Sequence, residues 1–455
     1  GGRVLRWAKA WAVRSPYAYG GTRAMRKWVF GILALAIVVS AVPAVADEDF
    51  EFETDGQVRA RLDWFDSFND VDNGGNDNEE AASFWPFRAN IGLTGSFNEM
   101  FSAYIEFQAY GFFGDDNTGL QGYSGTSGGN VDLYQGYATL NTDRWNFKFG
   151  RMEHQIGNEL IIGNNSFYNG QVFDGITASS EYDSWGLDLF LFKVTEGPLT
   201  TPGDSDDTNL YGIDVDFMLG KAALTPYLLY LKDDSAMKRE IGTVGILYNR
   251  PNDDNNGWDL NLELAGQFGE NGTGMATVDN KGIIFEGWFG WTFGDAGRIH
   301  VGALYASGSD DPTENGWISL FEDGHAYNRL GNLDLFNAGL TGTPGRMTNI
   351  QDLNVGYTWG PSADSKHQFF AALHQFTRPE TVGGADDDLG IEFDVTYSYQ
   401  IVHNSALQIG AGFLSAGDAL GPLADDTMRL WLQVESSWGS AKPWTSIGQE
   451  KGWMN

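Results

Sequence analysis

The sequence predicts an all-β fold, a transmembrane antiparallel β-barrel of about eighteen strands of the outer-membrane type, and three observations carry that reading. Period-two alternation of apolar and polar residues recurs along the chain, while helical periodicity is nearly absent. Sixty glycines, 14% aromatic residues and repeated Asp/Asn clusters suit many strands joined by polar turns. Connections alternate in length, long and polar after odd-numbered segments and mostly tight after even-numbered ones.

At the start of the chain, Arg26 and Lys27 precede an apolar run over residues 29–42, and Ala44, Val45 and Ala46 follow it. A basic start, a short apolar centre and a small-residue cleavage site mark residues 25–46 as a secretory signal peptide. An uncleaved anchor helix fits less well, because the run is short and Pro43 ends it. Residues 1–24 read as a mis-called or non-native extension. Residues 47–455 then form a single barrel domain, with strands over about 56–438 and a periplasmic tail at 439–455.

The chain carries 28 basic and 61 acidic side chains, a formal charge of −33. Loss of the seven basic residues upstream of Asp47 leaves 21 against 61, a charge of −40. That balance excludes a nucleic-acid binder of the basic kind. Cysteine is absent, which removes disulfides, a lipoprotein anchor and Cys-ligated metals. No cofactor or metal is called for.

The alternation is clearest in three segments. Tyr211, Ile213, Val215, Phe217 and Leu219 alternate with Gly212, Asp214 and Asp216. Trp258, Leu260, Leu262 and Leu264 oppose Asp259, Asn261 and Glu263. Ile391, Phe393, Val395, Tyr397 and Tyr399 oppose Glu392, Asp394, Thr396 and Ser398. A soluble β-sandwich would alternate too, with its apolar face inward; the loop-length asymmetry favours the membrane barrel. Trp145, Trp185, Trp258, Trp291, Trp359 and Trp438 fall at short-turn ends, as half of an aromatic girdle would.

Eighteen strands leave an aqueous bore, so inward residues carry the function. The parity assigns a pore-lining basic set of Arg59, Arg61, Arg88, Arg144, Lys148 and Arg429. It assigns a pore-lining acidic set of Asp214, Asp216, Asp259, Glu263, Glu286, Glu392 and Asp394. The basic side centres on the seam between the first and last strands and faces an acidic side across the lumen, although Glu392 and Asp394 interrupt a clean two-sided pattern. Such a field orients polar solutes. The long connection 308–347, with Trp317, Phe321, His325, Tyr327 and Phe336, is hydrophobic enough to fold over or into the mouth.

The stretch FGRMEHQIGNELIIGNNSFYNGQVFDG over residues 149–175, with support from residues 349–353, 389–394 and 425–428, resembles the alginate-export family of eighteen-stranded outer-membrane proteins. The matching positions are Gly150, Arg151, Gly157, Asn158, Ile162, Gly163, Gly170, Phe173, Asp174 and Gly175. The resemblance implies a channel that exports a polyanionic polysaccharide through an arginine-rich constriction. It adds Arg151 to the pore-lining basic set, as part of a partial arginine ring with Arg59, Arg61 and Arg88. Leu160 and Gln171 stand where the family often has arginine.

Acidic runs at 204–207, 253–254 and 386–388 read as solvated loop tips rather than calcium sites, since none has the spacing of a calcium-binding loop. The scattered histidines, His154, His300, His367 and His374 among them, accompany no nucleophile or metalloprotease motif, so no enzyme is expected and no catalytic residue is assigned. The expected surroundings are outer-membrane lipid and lipopolysaccharide, with a polar solute or a polysaccharide as permeant and no nucleic acid. The tail leaves room for a periplasmic partner, and the outer face for a homo-oligomer. The competing role is a scaffold or sheath for a periplasmic or extracellular partner.

Overall fold

The computed structural model describes residues 50–66, 82–113, 131–164, 169–196, 207–235, 238–252, 256–272, 277–311, 313–336, 347–360, 365–381, 385–421 and 425–440. The segments assigned as extension and signal peptide, and the tail beyond Ser440, lie outside the described residues. So do the acidic runs at 204–206 and 253–254.

Eighteen wall strands follow in chain order. They are β1 (Glu51–Asp66), β2 (Pro86–Ser96), β3 (Phe101–Phe112), β4 (Val131–Asn141), β5 (Asn146–Met152) and β6 (Phe173–Glu181). Next come β7 (Trp185–Thr195), β8 (Thr208–Leu219), β9 (Ala222–Asp233), β10 (Arg239–Arg250), β11 (Asn256–Gly272) and β12 (Ile283–Phe293). The last are β13 (Arg298–Ala306), β14 (Ile350–Trp359), β15 (His367–Thr377), β16 (Asp388–Val402), β17 (Ser405–Ala416) and β18 (Thr427–Trp438). Each pairs antiparallel with its chain neighbours. The ladder from Gly56↔Trp438 to Asp66↔Met428 joins β1 to β18 and closes the sheet. Closure removes the exposed edges that an open sheet would present to lipid.

The polarity is inverted relative to a soluble sandwich. Val244, Ile246, Leu262, Leu264, Leu353, Val355, Ile391 and Phe393 are exposed, while their strand neighbours Thr243, Glu263, Asp352, Glu392 and Asp394 are buried. Successive side chains of a strand take opposite faces, so one face is apolar and outward and the other polar and inward. This decides between the barrel and the sandwich. Trp291, Trp359 and Trp438 are exposed on the outer face; Trp145, Trp185 and Trp258 are half-buried there.

Two connections turn inward from the long-loop rim. The one joining β5 to β6 contributes buried Ile156, Leu160, Ile161 and Ile162, and the one joining β13 to β14 contributes Trp317, Leu330, Leu333, Leu335 and Met347. They meet in a short parallel bridge, Ile162↔Phe321, with Gly163 N–H donating to the Phe321 carbonyl (2.8 Å) and Phe321 N–H to Ile161 (3.1 Å). Both pack on inward apolar residues at the upper ends of wall strands, including Phe192, Leu210, Ile241, Ile284, Leu304, Phe376 and Leu414. Burying each such aliphatic side chain stabilises by roughly 1.5–3 kcal/mol, which is why these loops are held. Residues 313–336 of the connection at 308–347 therefore fold into the mouth, as the sequence suggests.

Candidate functional site

On the seam of β18, β1 and β2, Arg59, Arg61, Arg88 and Arg429 are all buried and inward-facing. Arg61 donates through Nε to Asp63 (2.9 Å) and lies over the Trp431 ring at 5.0 Å. Arg429 donates to the same Asp63 (2.8 Å), to Asp334 of the inward loop, and to the Asn332 carbonyl (2.7 Å). Arg88 donates to Gln108 (2.6 Å), which passes a hydrogen bond to the Asn169 carbonyl (2.6 Å), and sits 5.2 Å from the Tyr134 ring. Gly170 (φ +75°) carries the β5–β6 connection past this point; a Cβ there would meet the Tyr134 hydroxyl at 2.1 Å and the Arg88 guanidinium at 2.7 Å. Arg59 is directly opposite Glu435 and close enough to Arg61 and Arg88 to be repelled by both.

The acidic side anchors the inward loops. Glu286 takes Arg329 in a fork of 2.6 and 2.7 Å. Glu263 accepts from the Tyr227 hydroxyl (2.8 Å) and from Asn158 N–H (3.3 Å), while Asn158 and Asn261 exchange side-chain hydrogen bonds. Glu392 accepts from Leu333 N–H (2.8 Å) and Asp394 from Asn332 N–H (3.0 Å). Asp259 is held by Arg298 through bonds of 2.9 and 2.6 Å. The β13–β14 connection is thus fixed to wall residues from β11, where Gln267 accepts from Ile318 N–H (2.9 Å), round to Arg429 on β18. Buried carboxylates without such donors would be expensive to keep charged.

Two assigned residues stand elsewhere. Arg144 is exposed in the turn at 142–145 rather than on the wall, because β5 begins only at Asn146. Arg151 shares the parity of exposed Phe149 and therefore points outward, where it forks onto Asp174 at 2.7 and 2.7 Å. Lys148, two residues from inward Gly150, faces the lumen 5.2 Å from the Tyr137 ring. Asp214, opposite Asp188, and Asp216, which takes the Thr225 hydroxyl, are also inward, toward the short-turn rim. Sequence parity alone missed Arg298, Arg329, Asp63 and Asp334. Gly290 is a signal for the first: a Cβ there would sit 2.2 Å from the Arg298 guanidinium and 2.4 Å from Asp259, so the glycine leaves room for that pair.

Asp334, Glu322 and His154 of the inward loops are shifted from their ordinary values. Burial works to raise the Asp334 carboxyl, but His325 (3.0 Å) and Arg429 outweigh it and hold it well below the usual carboxylate range. Burial pushes Glu322 up to about 7, against hydrogen bonds from Ser319 and the Met347 amide; its Oε1 is enclosed without a hydrogen-bond partner among the described residues. Burial, then Lys148, lowers His154 to about 4, its ring lying 4.3 Å from Phe190 and 5.1 Å from Phe192.

The alginate-export family profile matches residues 96–431, most of the chain. The chain belongs to the alginate-export family. No match is found among curated proteins. Similar solved structures include three proteins of Pseudomonas aeruginosa. OpdL has a TM-score of 0.58 at 13% identity, covering 85% of this chain and 99% of that one. OccK8 (OprE) has a TM-score of 0.57 at 13% identity, covering 86% and 99%. OpdK, solved with vanillate, has a TM-score of 0.57 at 14% identity, covering 85% and 99%. At these identities the likeness is one of fold. This alginate-export barrel is an outer-membrane channel for solutes. Where the family often has arginine, Leu160 lies in the loop core, and Gln171 donates to the Gly163 (3.1 Å) and Phe321 (3.0 Å) carbonyls, stitching the two inward loops together.

Proposed function

We propose that the barrel is a gated channel for anionic or polyhydroxylated solutes, a single polysaccharide chain included, and that the two inward loops are its gate. The observation that carries this is the clamp between loop and wall: a polar, ionisable inner face is stoppered by chain-continuous loops held through a few ion pairs and hydrogen bonds. A stopper attached in this way is displaced without unfolding the wall. On this reading the long-loop rim faces outward, both termini face the periplasm, and residues 25–46 direct export.

Arg59, Arg61, Arg88, Arg429 and Lys148 form the pore-lining basic set, presenting guanidinium and ammonium donors to carboxylates and hydroxyls. Asp214 and Asp216, with Asp188, polarise the opposite mouth; Asp259 pairs with Arg298 of the wall, and Glu263, Glu286, Glu392 and Asp394 hold the gate. Single-channel recording in planar bilayers tests the proposal, with the triple change Arg59→Ser, Arg61→Ser and Arg88→Ser. A wild-type channel that is mostly closed with resolved openings, and a triple variant whose selectivity moves toward cations, are the expected results. A steadily open channel of unchanged selectivity in the variant would overturn it.

A further inference from the structure

The inner face is left open in one sector near the short-turn rim. Inward Thr243, Asp259, Glu286 and Glu392 on β10–β16 are buried, whereas Tyr104, Tyr137, Lys148, Asp188 and Asp214 on β3–β8 are half-buried and Asp216 is exposed. Tyr104 and Tyr137 lie directly opposite one another with ring centroids 5.4 Å apart, and Asp214 lies directly opposite Asp188. The carboxylates of Asp55, Asp188, Asp214 and Asp216 outnumber the Lys148 ammonium in this sector, while the turns beside it balance Arg144 and Lys221 with Asp143 and Asp183. An acidic, aromatic-edged patch of sheet is thus open to the bore just inside the rim.

The course of the chain after β18 points to what covers it. Past Trp438, Gly439 takes a left-handed φ of +66°, and a Cβ there would stand 2.3 Å from the Thr54 carbonyl oxygen. The turn brings Ser440 inward: its hydroxyl donates to Asp55 Oδ2 (3.2 Å), and the Tyr104 hydroxyl donates to Oδ1 of the same carboxylate (3.2 Å). Asp55 is buried and shares the parity of Arg59 and Arg61, so the chain passes Ser440 on the lumenal side of β1, beside Tyr104.

Residues 441–455 read AKPWTSIGQEKGWMN. Lys442 and Lys451 outnumber Glu450, a sign opposite to that of the open sector, and Trp444, Ile447 and Trp453 are apolar side chains that gain from leaving water. Trp444 and Lys451 stand four and eleven residues past Ser440, about 13 and 36 Å of extended chain. Tyr104 is two strands from β1, about 10 Å, and β7 and β8 lie across a chord of roughly 30 Å. Both parts of the sector are within reach.

We propose that residues 441–455 of this chain dock across the short-turn mouth of the bore, with Trp444 against the Tyr104–Tyr137 pair and Lys451 among Asp188, Asp214 and Asp216. The docked segment narrows the bore at the rim opposite the inward loops, so the proposal stands whether or not those loops gate the channel.

Limited trypsin digestion of the purified barrel, followed by mass spectrometry, tests it without a permeant. The Lys442–Pro443 bond resists trypsin, so the Lys451–Gly452 bond reports on docking. In wild type that bond is cut about tenfold more slowly than in the double variant Asp214→Asn and Asp216→Asn, or than in Trp444→Ala. Asp418→Asn, which removes an exposed carboxylate at the long-loop rim, leaves the rate unchanged. Cleavage as slow in the double variant or in Trp444→Ala as in wild type overturns the proposal. Protection that disappears on dilution would put the segment in a second copy's mouth and overturns it too. Ending the chain at Ser440 raises single-channel conductance; an unchanged conductance overturns the claim that the segment narrows the bore.

Discussion

Arg329 of the β13–β14 connection and Glu286 of β12 form a buried two-pronged ion pair, and the remaining Arg329 donors reach the Asp323 and Asn158 carbonyls. One guanidinium therefore joins the wall to both inward loops. Arg329→Ala leaves Glu286 buried without its cation, a loss on the order of 3–5 kcal/mol. The expected result is a lower unfolding midpoint together with raised open probability in bilayers. Changing Arg329→Met and Glu286→Leu together recovers the midpoint, since an apolar pair carries no desolvation cost, yet the channel stays more open because the loop carbonyls lose their donor. A double variant as closed as wild type would show that apolar packing alone holds the loops.

Acid should act on the proposed gate through His154. Its folded-state value of about 4 lies below the ordinary 6.5, so the folded state binds the proton more weakly than the unfolded one. The stability of the neutral, packed ring is present above about 6.5 and is lost as pH falls toward 4. Openings should become more frequent across that window. His154→Phe keeps the contacts with Phe190 and Phe192 and should remove this part of the acid response in a pH series of single-channel recordings.

Glu322 works in the opposite direction. With a folded-state value of about 7 against an ordinary 4.5, its contribution is complete below about 4.5 and is lost as pH rises through 7. Ionising an enclosed carboxyl whose Oε1 has no partner among the described residues should loosen the loop at neutral pH and above. Glu322→Gln should lower open probability at pH 8 and leave it unchanged at pH 5. An identical pH profile in wild type and variant would count against the role.

The barrel was legible because each wall strand obeys one rule over many residues: Tyr211, Ile213 and Phe217 outward, Asp214 and Asp216 inward, set by parity alone. The inner polar residues were legible as facing inward, but not what they face. Glu286 and Glu392 meet Arg329 and Leu333, which lie 43 and 59 residues away in chain order on a loop that no periodicity places. Arg151 was misplaced because the family's arginine ring was followed against the parity that puts Lys148 inward, and Arg144 because it lies in the turn just before β5 rather than on the wall. Gly290 under the Asp259–Arg298 pair shows where a finer signal lay, in a glycine among bulky inward neighbours.

That signal is sharpest in the family stretch itself. Gly150 on β5 lies opposite Gly175 on β6 with φ of +135°, and a Cβ at Gly150 would stand 2.2 Å from the Gly136 carbonyl oxygen and 2.8 Å from the Tyr137 Cα. Both obstacles are backbone of the adjacent strand β4, so relief requires the strands to separate rather than a side chain to rotate. Gly150→Ala should therefore cost on the order of 1–3 kcal/mol from the dihedral alone, more from the clash. It should also loosen the start of the inward β5–β6 connection. Gly186→Ala is the matched control: it also lies on a wall strand, with no left-handed φ, and its nearest neighbour would be 3.8 Å away. Urea unfolding in lipid vesicles should lower the midpoint for Gly150→Ala and leave it within error for Gly186→Ala. Equal midpoints for the two would mean that β4 and β5 can separate locally without loss, and that the close approach of their backbones is not what fixes the register of the motif.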